Sequence, residues 1–449
     1  MVDEKVLILG AGKVAGPIVK YLLNSGYRVT VASEFLYQSE YVIQNHPLGR
    51  AVEWHAGDQE KLNALVSAHK VVVSLLPFFL HIDVCKACIK AKRSLITTSY
   101  EQPGMAELHS EACKSNITIL NEMGLDPGID HMWAAQMLDA IKAQGGRVVK
   151  FISVCGALPS PESLDNPFRY KFSWSPMGVM RASMSEASYL KNGEVIRQGA
   201  ANLFRNTFEL NVEGVGSLEA YANRDSIKYI ELYQIPEVKT FFRGTFRYKG
   251  WCETLATLID AGYLGEEEFP NNVSTYGELA AYLMKLKPKE NVRDVLADKM
   301  NVATHSNSIL AMEWLGLFSN VRFSAHLKTP LSVLTDRMVS KMKMLPSDKD
   351  MVVLNHQLLY ELPDKSRKIK NGSMVMMGMN SENTAIADTV SLPPALAVEL
   401  LLNNTVAHKG VIRPLCKEIY EPILNQLTKK MKFTMNEKEL GEDQWPKDW

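Results

Sequence analysis

The amino-acid sequence predicts an α/β protein that opens with a parallel sheet. Three observations carry the prediction: short apolar runs alternate with helical patterns over residues 5–120, the first run empties into a glycine loop, and the second ends on an acid. Lys5–Leu9 (KVLIL) reads as a buried strand. Residues 14–23 follow with apolar side chains at helical spacing, and Asn24-Ser25-Gly26 stops them. The run 28–32 (RVTVA) is the second strand, with further strands at 71–76, 94–97 and 117–120 and helices over 59–67, 82–90 and 104–114. Strands separated by helices at this spacing imply parallel pairing through right-handed crossovers.

Beyond about residue 130 the pattern changes. A strand at 148–156 precedes a stretch rich in aromatics, Pro, Asn and Arg that runs to about Gly250. Helical periodicity dominates 255–287 and 292–317, strands return at 351–354 and 372–379, and 385–427 is apolar and helical. The charged stretch 436–449 reads as a frayed end.

Composition excludes several classes of function. Lys+Arg and Asp+Glu both total 50 of 449 residues, so no overall field draws the chain to nucleic acid or to an acidic membrane. No uncharged run approaches the roughly 20 residues that cross a bilayer. The opening Met1-Val2-Asp3-Glu4-Lys5 lacks the basic and apolar segments of a leader, and six cysteines do not make a disulfide scaffold. A reducing cytoplasm is the expectation.

The glycine loop carries the first chemistry. In Gly10-Ala11-Gly12-Lys13-Val14-Ala15, Gly10 permits the tight turn, Gly12 lets backbone approach a pyrophosphate, and Ala15 lets helix pack on strand. The helix that follows offers N–H groups and a positive dipole end to phosphates. This is the fingerprint of a Rossmann-type dinucleotide domain. Glu34, 24 residues after Gly10, is placed for the adenosine ribose hydroxyls and would repel a 2′-phosphate; no Lys or Arg lies between Ser33 and Asn45. NAD rather than NADP is therefore expected. Leu76, Thr97 and Thr98, at the ends of later strands, should face the cofactor.

Five ordered motifs then make the reading specific: Thr97-Thr98-Ser99-Tyr100; Gly124-Leu125-Asp126-Pro127-Gly128-Ile129-Asp130-His131; Asn166-Pro167-Phe168-Arg169-Tyr170-Lys171-Phe172-Ser173-Trp174-Ser175; Asn223-Arg224-Asp225-Ser226; and Arg243-Gly244-Thr245-Phe246-Arg247-Tyr248. Together they resemble the glutamate-forming saccharopine dehydrogenases, or saccharopine reductases, over essentially the whole chain. The resemblance implies NAD(P)-linked interconversion of saccharopine with glutamate and 2-aminoadipate 6-semialdehyde in lysine metabolism. It also implies three parts: a Rossmann domain (1–130 and 385–449), a mixed α/β substrate domain (131–270 and 350–384) and a helical insertion (271–349).

Saccharopine carries three carboxylates, so its pocket needs cations and N–H donors. The resemblance assigns Arg224 and Arg247 to those carboxylates, with Ser99, Tyr100, Asp126, Thr245 and Phe246 beside them; a guanidinium grips a carboxylate through two parallel bonds. It places Leu125, Pro127 and Trp174 near the cofactor. Candidates for the proton-transfer group are Asp126, Tyr100 and Cys155, although Cys155 reads equally as a buried structural thiol. His131 suits a capping or hinge role, and Arg243 either binds substrate or forms an ordinary ion pair. No metal is expected: Cys85-x-x-Cys88 falls within a helix and lacks a second ligand pair. Saccharopine is the only partner expected, and the resemblance leaves room for a homodimer.

The chain departs from the family in two places. A family Lys near the C-terminus is Asp388 here, and a following Gly is Ser391. Fungal biosynthetic members carry Arg at the position of Glu34 and use NADP, whereas animal members carry an acid and use NAD. Two other readings compete: an imine reductase like carboxynorspermidine dehydrogenase, which would not need Arg224 and Arg247 together, and a catalytically silent NAD-binding sensor.

Overall fold

The structure is a computed structural model that describes residues 5–287, 290–429, 433–447 and 449. The chain forms two compact units, the first from Met1–Gly146 with Asn383–Met435 and the second from Arg147–Glu382 with Asn436–Trp449.

In the first unit β1 (Lys5–Leu9), β2 (Arg28–Ser33), β3 (Gly49–Glu53), β4 (Val71–Ser74), β5 (Ser94–Thr97) and β6 (Thr118–Leu120) pair in parallel. A seventh strand, Gly410–Ile412, completes the sheet beside β6, and the spatial order runs Gly410–Ile412, β6, β5, β4, β1, β2, β3. Val6 to Leu9 are fully buried because helices cover both faces, which is why β1 is a continuous apolar run rather than an alternating one. β3 escaped the sequence reading because it is a polar edge strand, Gly49-Arg50-Ala51-Val52-Glu53, with no buried residue. The helix expected over 104–114 is two short ones, Pro103–Glu107 and His109–Lys114. Cys85 and Cys88 are buried in the helix His81–Ala91, where burial pushes both thiols up, so they pack rather than react. The helix Ala385–Leu402 is long and apolar enough to cross a membrane, but it lies against the helix Ala15–Asn24 and against β4 and β5 as a core element.

The second unit is built on a mixed sheet of β7 (Arg147–Pro159), β8 (Ala187–Lys191), β9 (Glu194–Gln198), β10 (Thr207–Val212), β11 (Gly216–Ala222), β12 (Thr240–Arg247), β13 (Asp350–Glu361), β14 (Arg367–Met377) and the strand Met435–Gly441. The order is β10, β11, β12, β7, β13, β14 and Met435–Gly441, with β8 joining β12 and β9 joining β8. β7 and β12 are parallel, whereas β10–β11, β11–β12, β8–β12, β8–β9, β7–β13 and β13–β14 are antiparallel.

Two expectations about boundaries change here. The helices within 271–349 share one continuous core with the sheet: Leu279, Leu315 and Leu334 belong to the cluster that holds Ile152 and Phe242. Short amphipathic helices of this kind cannot bury an apolar face alone, so they fold onto the sheet instead of forming a separate body. The described residues of 436–449 also belong to this unit and are not frayed; Trp449 packs its ring 4.4 Å from Phe242 and 4.7 Å from Phe208. Aromatic burial outweighs the charge of the surrounding sequence.

Candidate functional site

In the first unit the site residues lie at the C-terminal ends of strands or in the loops that follow them, where ligands bind in open parallel sheets. Sequence order reverses between β1 and β4, and Gly10 leaves β1 at that switch point. Gly10 has φ +100°, and its N–H donates to the Ala32 carbonyl at 2.8 Å, tying the loop to the end of β2. A Cβ on Gly10 would sit 3.2 Å from the Leu75 backbone, so close packing and backbone angle both require glycine. Gly12 differs: a Cβ there would meet no heavy atom within 4 Å. Internal packing gives no reason for glycine at 12, whereas a ligand lying on the loop does, and on that observation the residues fit a dinucleotide's pyrophosphate. Ala11 is buried beneath the loop, Lys13 is exposed, and Val14 caps the helix Ala15–Asn24 without a side-chain bond. The Ser391 hydroxyl, one of the family departures, donates to the Val14 carbonyl and braces the loop from below.

Glu34 stands exposed one residue beyond β2, and Leu76 lies half-buried just past β4. The Thr97 hydroxyl is buried on the Asn121 amide oxygen at 2.8 Å, leaving the half-buried Thr98 and Ser99 to face outward. Tyr100 and Asp126 are brought together: the Tyr100 phenol donates to Asp126 Oδ1 at 2.6 Å. Asp126 occupies the tip of a tight turn made by Gly124 N–H to the Pro127 carbonyl at 2.8 Å and Asp130 N–H to the Leu125 carbonyl at 3.0 Å. Leu125 and Pro127 are buried on either side, and the Asp126–Pro127 peptide is cis.

Beneath this pair lies a charged cluster that sequence reasoning missed. Glu122 Oε2 meets His131 Nε2 at 2.7 Å, with both side chains fully buried. Glu122 Oε1 accepts from Arg413 Nε at 3.0 Å and from the Glu101 N–H at 3.0 Å, while Arg413 Nη2 reaches Glu101 at 2.9 Å. Burial opposes the charge on Glu122, but the His131 hydrogen bond and the charges of His131 and Arg413 outweigh it and hold the carboxyl well below the ordinary range. His131 is thus held within this cluster, and at the start of its helix the Gly128 N–H is met by Asp130 Oδ1 at 2.6 Å. An acid directly after an apolar strand, at Asn121-Glu122, was the one available signal.

In the second unit Tyr221, Thr245 and Cys155 form a row across β11, β12 and β7. Arg247, two residues along β12 from Thr245, shares their face. Its guanidinium is buried among three rings, with its central carbon 5.1 Å from Tyr170, 5.5 Å from Trp251 and 5.8 Å from Tyr221. Nη1 donates to the Phe246 carbonyl at 2.8 Å, and Nε has no partner. Among the described residues no carboxylate pairs with Arg247; its cross-strand neighbour Glu219 binds Thr207 at 3.2 Å. Burial pushes the Tyr170 and Tyr221 phenols up, against the pull of Arg247, so the cage is neutral near pH 7.

Other expected substrate residues fare differently. Phe246 is fully buried on the opposite face of β12, against Gly156, so its ring packs the core and cannot meet a substrate there. Period-two alternation makes this unavoidable once Thr245 and Arg247 face the other way. Arg224 is exposed in a tight turn at φ +56°, and its carbonyl accepts the Ser188 N–H at 2.9 Å. Arg243 is buried, 4.3 Å above the Tyr229 ring. Trp174, half-buried, precedes the helix Pro176–Ala182 and packs against Gly178. Cys155 is almost fully buried.

Comparison with known proteins agrees across the chain. Residues 6–120 match the family model described as the saccharopine dehydrogenase NADP binding domain, and residues 124–432 match the saccharopine dehydrogenase C-terminal domain. The mitochondrial alpha-aminoadipic semialdehyde synthase of Bos taurus is 36% identical over 94% of this chain, which spans 46% of that protein. The chain thus covers about half the length of that relative and of its mouse and rat counterparts. The saccharopine dehydrogenase [NADP(+), L-glutamate-forming] of Pyricularia oryzae is 33% identical over 98% of this chain and 99% of its own. The solved apo saccharopine dehydrogenase (L-Glu forming) of Saccharomyces cerevisiae superposes with a TM-score of 0.89 at 32% identity, covering 98% of this chain and 100% of that one.

These findings overturn the expectation of NAD over NADP. The matched nucleotide domain is described as NADP binding and the fungal relatives are named for NADP(+). Glu34 is one exposed carboxylate and does not by itself decide the cofactor. Two charges 4 Å apart in water interact by only about 1 kcal/mol, a term that other contacts to a phosphate can outweigh.

Proposed function

The chain belongs to the saccharopine dehydrogenase family, and from that premise we propose that it is an L-glutamate-forming saccharopine dehydrogenase using NADP. The reaction is oxidation of the CH–NH bond of saccharopine, then hydrolysis of the imine to glutamate and 2-aminoadipate 6-semialdehyde. The observation that carries this reading is Arg247, a buried guanidinium with no carboxylate paired to it among the described residues. A desolvated cation costs several kcal/mol, and a substrate carboxylate is the partner that would offset it.

The bound cofactor supplies the hydride acceptor. The backbone from Gly10 to Val14 holds the pyrophosphate, and Ser391 fixes the carbonyl of Val14 so that the loop keeps its curvature. Asp126 presents a carboxylate to the cationic amine, and the Tyr100 phenol on Asp126 Oδ1 sets the direction of its remaining lone pairs. Orientation and charge placement do the work here ahead of a dedicated base. Arg247, with the exposed Arg224, binds carboxylates, while Thr245 supplies a hydroxyl on the same face. We assign the chain to a reducing compartment on its six free cysteines; the mammalian relatives are named mitochondrial.

The test is the appearance of NADPH with saccharopine and NADP+. Turnover is expected. Tight NADP+ binding without turnover of saccharopine would refute the assignment and return the silent-sensor reading.

A further inference from the structure

We propose that Glu122, His131 and Arg413 are positioning residues for the Tyr100–Asp126 pair, a buried network that clamps residues 97–101 against the turn 124–130. The inference rests on the reading of that pair as substrate-facing. Three neighbouring strands deliver the parts, since Tyr100 lies just past β5, Glu122 just past β6 and Arg413 directly after Gly410–Ile412.

On one side the clamp grips the Tyr100 segment. Glu122 Oε1 accepts the Glu101 N–H at 3.0 Å, the Glu122 N–H donates to the Ser99 carbonyl at 3.3 Å, and Arg413 holds the Glu101 carboxylate at 2.9 Å. On the other side it grips the Asp126 turn. His131, bonded to Glu122 Oε2 at 2.7 Å, follows Asp130, whose side chain takes the Gly128 N–H at 2.6 Å and whose N–H closes the turn on Leu125. One carboxylate therefore ties together both residues of the Tyr100–Asp126 contact.

Stability does not explain such a network. Burying ions costs several kcal/mol each, and well-packed apolar side chains of similar volume serve a fold at least as well. What charge-assisted bonds add is fixed geometry, short and directional. A reacting pair gains from that, because a displacement of about 1 Å can cost roughly 100-fold in rate.

The test uses the full chain with Glu122→Gln, Arg413→Gln and Tyr100→Phe. Arg413→Gln is the safer variant for folding, because its side chain is 18% exposed while that of Glu122 is fully buried. Amide hydrogen exchange over 98–102 should accelerate by about tenfold or more in Arg413→Gln, with the β1 amides unchanged. The kcat/KM for saccharopine should fall roughly 10- to 100-fold while the KM for NADP+ stays within about twofold. Combining Arg413→Gln with Tyr100→Phe should cost little more than Tyr100→Phe alone, since both act through one contact. Unchanged exchange at 98–102, or losses that multiply in the double variant, overturns the inference. If the parent enzyme does not turn over saccharopine, the proposed function fails while the exchange data still decide whether the network positions Tyr100.

Discussion

Replacing Arg247 by Met separates a binding residue from a structural one, because the two roles predict opposite patterns. Arg247 is 5% exposed, which puts the desolvation cost of its guanidinium at several kcal/mol. Against this stand one charge-assisted bond to the Phe246 carbonyl, worth about 1.5–3 kcal/mol, and contacts with the rings of Tyr170, Trp251 and Tyr221, worth about 2 kcal/mol when desolvated. These contacts offset part of that cost, and the remainder is what a bound carboxylate would offset. Met fills much of the same space without a charge to bury, so the ligand-free melting temperature should move by no more than roughly 4 °C, the equivalent of about 1 kcal/mol. The kcat/KM for saccharopine should instead fall about 100-fold, or roughly 2.7 kcal/mol, chiefly through KM, with the NADP+ constant unchanged. Thermal unfolding without ligand and steady-state kinetics with both substrates read the two quantities. A drop of ten degrees with an unaltered saccharopine KM would make Arg247 a structural residue and refute the carboxylate assignment.

Three further substitutions test the first unit. Gly12→Ala should leave stability within about 0.5 kcal/mol, since the new Cβ meets nothing, yet raise the KM for NADP+ severalfold; Gly10→Ala, at φ +100° and 3.2 Å from backbone, should destabilise by about 1–3 kcal/mol. Equal effects of the two in urea unfolding would count against a ligand-facing Gly12. His81 is buried, with Nδ1 3.0 Å from the Ser74 hydroxyl, and burial pulls its pKa down to about 4. Below pH 6.5 the unfolded chain takes a proton that the folded chain refuses, so stability falls from about pH 6.5 to about pH 4, by roughly 3 kcal/mol in all. His81→Gln should flatten that limb when urea midpoints are compared across the range; an unchanged slope would show that another group is responsible.

What the sequence disclosed follows from how local each signal is. The strand Lys5–Leu9 and its glycine loop were legible because burial on both faces and a positive φ at Gly10 are each written within a few residues. Tyr100 and Asp126 were legible as motifs, but their 2.6 Å contact was not. Glu122 and Arg413, 291 residues apart, were invisible as a pair because no local pattern links the ends of β6 and of Gly410–Ile412. Phe246 was misplaced because motif membership says nothing about which face of a strand a side chain takes. The cofactor expectation failed for a related reason: a phosphate site is a sum over several groups, and Glu34 was one of them.

The parallel sheet of the first unit is completed by a strand from much later in the chain, and this has a consequence during synthesis. Gly410 follows Leu120 by 290 residues. At the roughly 5–20 residues per second of a ribosome, β6 waits on the order of 15–60 s with its outer edge unpaired and Glu122 without Arg413. Such an edge invites pairing with other nascent chains. The early strands should therefore be a client for chaperones until the last tenth of the protein emerges, and a ribosome stalled before Gly410 should leave them sensitive to protease.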